Sequence, residues 1–184
     1  MSNATKTKPV FSTRHGKLDV AAWQNEGQNG RFFNVSLKRS FKQDDEWQSS
    51  QASINHNDVL GVVVLLQWAD SVIQKAVETG TKPDDEKSPL ATKRRGSIEV
   101  AVYQKTTENG SSYRVSLIRA YTSNGTEKTD RVWLNGSDCL AAGRLLTRTF
   151  DALDVLPSES DSSFVTAAKN EFNASEVDGD DIPF

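Results

Sequence analysis

The chain has 184 residues, 36% of them hydrophobic, and a net charge of -3, which suits a soluble globule of one or two small domains with polar segments attached. One cysteine, Cys139, and two histidines, His15 and His56, exclude an internal disulfide and leave too few ligands for an ordinary zinc site, so neither a metal nor a cofactor is expected. The longest apolar run, residues 59–66, is short of the roughly 20 residues of a membrane span, and MSNATKTKPV has no apolar signal region, so a cytoplasmic location is expected.

Residues 1–13 read as a flexible leader. Two copies of one unit follow, at 14–77 and 93–156, because RHGKLDVAAWQ (14–24) matches RRGSIEVAVYQ (94–104) at an offset of 80 that never slips. The offset carries Asn29-Gly30 onto Asn109-Gly110, Val35-Ser36-Leu37 onto Val115-Ser116-Leu117, Arg39 onto Arg119, Asn55 onto Asn135 and Asp58 onto Asp138.

In each copy a first strand (17–24, 97–104) alternates, with Leu18, Val20 and Ala22 on one face and Lys17, Asp19, Ala21 and Trp23 on the other. Asn-Gly then supplies a turn with positive φ. A second strand (31–41, 112–121) places Phe33, Val35 and Leu37 on the core side and Asn34, Ser36 and Lys38 opposite. A third (47–54, 127–134) buries Ala52 and Ile54, or Val132 and Leu134. The helix is expected to start at Asn55 or Asn135, whose side chain caps free amides, with Asp58 or Asp138 complementing the N-terminal dipole. Cys139, near the second helix start, reads as a small buried filler rather than a reactive thiol.

Residues 78–92, beginning ETGTKPDDEKSPL, form a polar linker with two prolines. Residues 157–184 hold seven acids against Lys169, a net charge of -6 that leaves +3 for the rest, and are expected to form a disordered acidic tether. The expected fold is α+β: two tandem repeats of antiparallel strands followed by a helix, packed as an intramolecular pseudo-dimer, the nearly all-apolar start of the first helix needing its own repeat as a partner.

A sheet covered by helices on one face leaves the other to carry function. The parity of the strands puts Lys17, Trp23, Asn34, Ser36, Lys38, Trp47 and Gln51 there in copy one, and Tyr103, Arg114, Ser116, Arg131 and Trp133 in copy two. Rings interleaved with cations and hydroxyls fit single-stranded nucleic acid, whose bases stack on rings while phosphates take the cations. The same exposed rings also fit a protein interface. Arg39 and Arg119 share the core parity near the strand ends, where they take phosphate at the rim or pair with an acid of the neighbouring copy. No nucleophile–base pair, glycine-rich phosphate loop or metal spacing is evident, so no enzymatic activity is expected.

The stretches GKLDVAAW, VSLKRSF and SINHNDVL in copy one, and GSIEVAVY, VSLIRAY and WLNGSDCL in copy two, resemble the positive-cofactor (transcriptional coactivator) domain, related in layout to the Whirly and Pur-alpha single-strand binders. The resemblance covers roughly 14–76 and 94–156. It implies two domains paired through their helices that present strands to single-stranded DNA, here fused into one polypeptide. The chain departs from the pattern in its leader, reduced to Lys6, Lys8 and Arg14, and at KQDDEW (42–47), whose acids repel phosphate. DGDDIPF (178–184) resembles the acidic tip of bacterial single-stranded DNA-binding proteins. That likeness implies recruitment of replication, recombination or repair proteins through Asp178, Asp180, Asp181, Ile182, Pro183 and Phe184: the Phe184 ring enters an apolar pocket while its α-carboxylate meets an Arg or Lys, Pro183 limits the entropy lost, and the three acids steer toward a basic rim. The expectation is a protein that coats single-stranded DNA and summons partners. A coactivator-like or RNA-binding regulator of the same fold and a protein-interaction scaffold are the alternatives, and a homodimer of the whole chain is left open.

Overall fold

The computed structural model describes residues 8–27, 30–85, 87–107, 110–123 and 125–155. The acidic segment 157–184, with Asp178, Asp180, Asp181, Ile182, Pro183 and Phe184, lies outside the described residues. The chain is α+β, and its two copies fold alike: β1 (Phe11–His15), β2 (Leu18–Gly27), β3 (Gly30–Gln43), β4 (Glu46–Asn55) and α1 (Val59–Thr79), then β5 (Ala91–Arg95), β6 (Ile98–Thr107), β7 (Gly110–Ser123), β8 (Thr126–Asn135) and α2 (Cys139–Asp154). A short 3-10 turn, His56–Asp58 or Gly136–Asp138, leads into each helix.

Each copy has one strand more than the alternation predicts. FSTRH and ATKRR are too polar to read as strands, and residues 11–13 and 91–92 fall in the expected leader and linker. They are strands because Gly16 and Gly96, both at φ 57, fold them back onto β2 and β6. These are edge strands, where one side of the ladder faces solvent and polar residues are tolerated. The β3–β4 hairpin closes on Asp44 (φ 47) and Asp45 (φ 65), the left-handed pair that a two-residue turn requires. Lys42 Nζ donates to Asp45 Oδ1 at 2.5 Å, so one of the turn's acids is locally paired.

All eight strands join in one antiparallel sheet, ordered β1-β2-β3-β4-β8-β7-β6-β5. The seam between copies is the Gln51–Arg131 pairing of β4 with β8, reinforced by the Trp133 amide donating to Ser50 Oγ at 3.0 Å. One sheet face carries the core: Val20, Val35, Leu37 and Ile54 in copy one and Val100, Val115, Leu117 and Leu134 in copy two are at most 1% exposed. Both helices cover this face. By length and apolar content alone α1 passes for a membrane span, but Val59, Val62, Leu65, Leu66, Ala69, Ile73 and Ala76 are buried in the core.

The helices are exchanged between copies. α1 packs on β5 and β6 of the second copy, where Lys93 Nζ lies 5.6 Å from the Trp68 ring centre and Gly61 admits the Arg95 side chain, which a Cβ would meet at 3.2 Å. α2 reaches back to copy one through Phe150, stacked 4.7 Å from His56, itself edge-on to Phe33. Two arginines tie the exchange. Arg39 Nε of β3 donates to Asp138 Oδ2 ahead of α2 at 2.6 Å, and Arg119 Nη2 of β7 donates to Asn55 Oδ1 ahead of α1 at 3.0 Å. Capping therefore differs between the copies. The Asn55 side-chain oxygen is taken by Arg119 and caps nothing, whereas Asn135 and Asp138 form a reciprocal capping box in which Asp138 accepts the Asn135 amide at 2.9 Å.

Cys139 is fully buried at the start of α2. Burial, with Asp70 and Asp138 adding to it, pushes its thiol up to about 12.

Arg39→Ala should lower the unfolding free energy by roughly 3 kcal/mol in urea titrations, the low end for a broken buried pair because Asp138 keeps a side-chain exposure of 23%. Lys42→Ala, at an exposed pair, should cost under about 1 kcal/mol. Cys139 should resist thiol reagents at pH 8.5 in the native protein and react once unfolded in urea. Its folded-state value is raised, so its contribution to stability is intact below the ordinary 9.0 and is lost as pH climbs toward about 12.

Candidate nucleic-acid interface

Among the described residues, no helix covers the sheet face opposite α1 and α2. Strand parity delivers to it Trp23 beside Asn34, Ser36 beside Ser53, and Lys38 beside Gln51 and Asp19 in copy one. Copy two brings Tyr103 beside Arg114, and Ser116 beside both Ala101 and Trp133. Gln51 and Arg131 meet at the seam, which makes one surface out of two. Trp47 stands near the end of β4, opposite Lys42, and is 68% exposed. Lys17 is exposed in the β1–β2 turn, its carbonyl accepting the Ser40 amide.

Copy two has the more developed chemistry. The Tyr103 and Trp133 rings lie 5.5 Å apart, tilted by 56°, and the Arg131 guanidinium sits 5.5 Å over the Trp133 ring. A flat cation on an indole face is stabilised by the ring quadrupole, and a nucleobase makes use of the same surfaces. Next to the rings opens a groove of about 670 Å³, within the range of ligand sites. Its sheet wall is Tyr103, Trp133, Arg114 and Lys105, and its other wall is the linker, with Lys82 and Lys87 beside Asp84 and Asp85. Gln104, 8% exposed, lines the groove's floor and donates from Nε2 to Ser111 Oγ at 2.9 Å.

Four residues of the sequence-based set lie elsewhere or are covered. Arg39 is 8% exposed and, like Arg119, belongs to the helix-bearing side. There Arg39 is held by Asp138, an acid of the other copy, and Arg119 by the neutral Asn55 amide oxygen and the Tyr121 ring 5.0 Å away, so only Arg39 makes the expected pairing with an acid. Ser36 and Ser116 have the parity of the open face but are 6% and 1% exposed, and Ser116 Oγ has no hydrogen-bond partner. On the helix side, burial and then the Asp130 carboxylate, which accepts from the Tyr121 hydroxyl at 3.3 Å, raise the Tyr121 phenol above its ordinary value.

Several cations of this surface escaped the sequence reading. Lys105 continues the parity of Tyr103, but the first strand of copy two is expected to stop at 104, whereas β6 runs to Thr107. Lys42 likewise shares the parity of Lys38, one residue past the expected end of its strand. Lys82 and Lys87 sit in a segment expected only to span, and no periodicity places such residues. No group of three or more potential metal ligands occurs among the described residues.

No family model matches the chain, and no curated protein matches it in sequence. Among solved structures, that of the plant transcriptional regulator PBF-2 aligns with 79% of this chain and 82% of its own, at 12% identity and a TM-score of 0.28. A likeness that shallow bears on neither fold nor function.

Proposed function

We infer that the chain is a non-enzymatic single-stranded DNA-binding protein whose open sheet face holds the strand and whose acidic segment recruits replication, recombination or repair proteins. The observation that carries this reading is the Tyr103–Trp133 pair, with Arg131 over the indole and Arg114 lining the adjoining groove. Stacked rings flanked by cations suit unpaired bases on a phosphate backbone, each base–ring stack contributing about 1–3 kcal/mol. A duplex offers such rings no exposed base faces.

Phosphate attraction supplies affinity without sequence information, and the rings select unpaired strands. The charge division agrees with this. The body is mildly basic, and the acids concentrate in 157–184, where Asp178, Asp180 and Asp181 precede Ile182-Pro183-Phe184. Such a segment suits a basic-rimmed apolar pocket on another protein, with Pro183 limiting the ordering cost.

Titrating the chain with oligothymidine at low salt should change its tryptophan emission. Affinity should fall with salt at a log–log slope of about -0.7 per neutralised phosphate. Unchanged emission together with no binding at low salt would overturn the reading, and an RNA oligomer that outcompetes its DNA counterpart would redirect it to RNA. Removing residues 178–184 should leave DNA affinity unchanged or raised, because it removes three carboxylates that compete with phosphate. A loss of affinity would contradict the division of labour between body and tail.

A further inference from the structure

The two ends of the open face differ, and strand register determines which residues share an end. β4 and β8 are antiparallel through Gln51 and Arg131, so the Trp47 end of β4 lies beside the Trp133 end of β8. Next in order come the Arg114 end of β7 and the Tyr103 end of β6. One end of the sheet thus gathers Trp47, Trp133 and Tyr103 with Lys42, Arg114 and Lys105. The opposite end holds the ring of Trp23 amid Asn25, Asn34 and Ser53, and β8 adds Glu127 there.

This difference has a sequence origin. At the offset of the repeat, Lys105, Arg114, Trp133 and Arg131 correspond to Asn25, Asn34, Ser53 and Gln51. Copy one lacks three of these cations and one ring on the corresponding surface, and it brings Trp47 and Lys42 to the other copy's end instead. The linker adds Lys82 and Lys87 to the same groove.

We propose that the bound strand follows an off-centre path, anchored in the groove between Tyr103, Trp133 and the linker, then crossing β7, β8 and the seam to Trp47, with the Trp23 end contributing little. The proposal rests on the single-stranded DNA reading above and specifies where on the face the strand lies. A base stacks at the Tyr103–Trp133 pair, and its phosphates meet Arg114 and Lys105. From β6 to β4 the path crosses three strand spacings, roughly 14 Å, so a short oligonucleotide fills it. The two copies, alike in fold, are then unequal in use: copy two is the anchor, and copy one supplies the seam and a distal ring.

The test uses the full chain and a dye-labelled oligothymidine followed by anisotropy, so that loss of a tryptophan does not remove the signal. Trp133→Ser, which installs the copy-one residue, should weaken binding by about five- to 150-fold, the effect of losing one stack. Trp23→Ala should change it by less than about twofold, consistent with a ring outside the path. Because Trp133 is half-buried, Lys105→Asn provides a second, fully exposed probe. It should weaken binding and lower the magnitude of the salt slope by about 0.7, with the thermal unfolding midpoint unchanged. Trp23→Ala losses equal to those of Trp133→Ser, or a Lys105→Asn variant with wild-type affinity and slope, would overturn the off-centre path while leaving single-strand binding intact. A wild-type chain that fails to bind would overturn both.

Discussion

Each helix crosses toward the other copy. The short turns at 56–58 and 136–138 lead α1 onto β5 and β6 of the second copy and bring Phe150 of α2 against His56 of the first, and everything else in the body depends on that exchange. A helix laid on its own hairpins would close each copy as an independent small domain, with a thin core and two exposed sheet edges. Exchange instead merges the cores, joins β4 to β8, and puts both helices on one side of a single eight-stranded sheet. Among the described residues no helix covers the other side, where the linker flanks Tyr103 and Trp133.

The arginines at equivalent positions explain how the exchange is held. Arg39 and Arg119 occupy core-parity sites at which an aliphatic residue would continue the apolar row, yet each reaches across the pseudo-dyad to the residue cluster that starts the opposite helix. Arg39 has an anion, Asp138, whose second role is to accept the Asn135 amide. Arg119 has only a neutral amide oxygen, and its Nε is buried without a partner. The two junctions are therefore chemically unequal, the charged one being the stronger hydrogen bond. A buried ion pair is weak evidence for net stability but strongly penalises a wrong partner, which is what an exchanged arrangement of two repeats alike in fold requires.

Duplication within one chain frees the copies to diverge, as a symmetric homodimer cannot. The core positions have stayed alike: Val20, Val35 and Leu37 in copy one and Val100, Val115 and Leu117 in copy two fill the same places in both halves. The open face has not, as Asn34 against Arg114 and Ser53 against Trp133 show. Packing constrains the first set through close contact on all sides, whereas an open face is constrained only by what binds it.

Much of this was legible without a structure. Period-two alternation assigned β2, β3 and β4 and their counterparts, together with the face of each residue, because side-chain direction in a strand depends only on parity. The repeat announced the pseudo-dimer. Parity stops at the end of a strand, however, and so Lys105 and Lys42 were missed. The polar edges β1 and β5 were missed because a paired edge strand needs no apolar face. Parity also says nothing of cover: Ser36 and Ser116 have the parity of the open face yet are buried. The chain by itself determined the elements, their faces and the duplication, all of which are local or follow from similarity between its halves. Tertiary structure alone decided which helix covers which sheet, that Arg39 and Arg119 hold the copies together, and that the rings and cations of two distant segments share one end of the face. Those outcomes depend on contacts between residues far apart in sequence, which no pattern along the chain encodes.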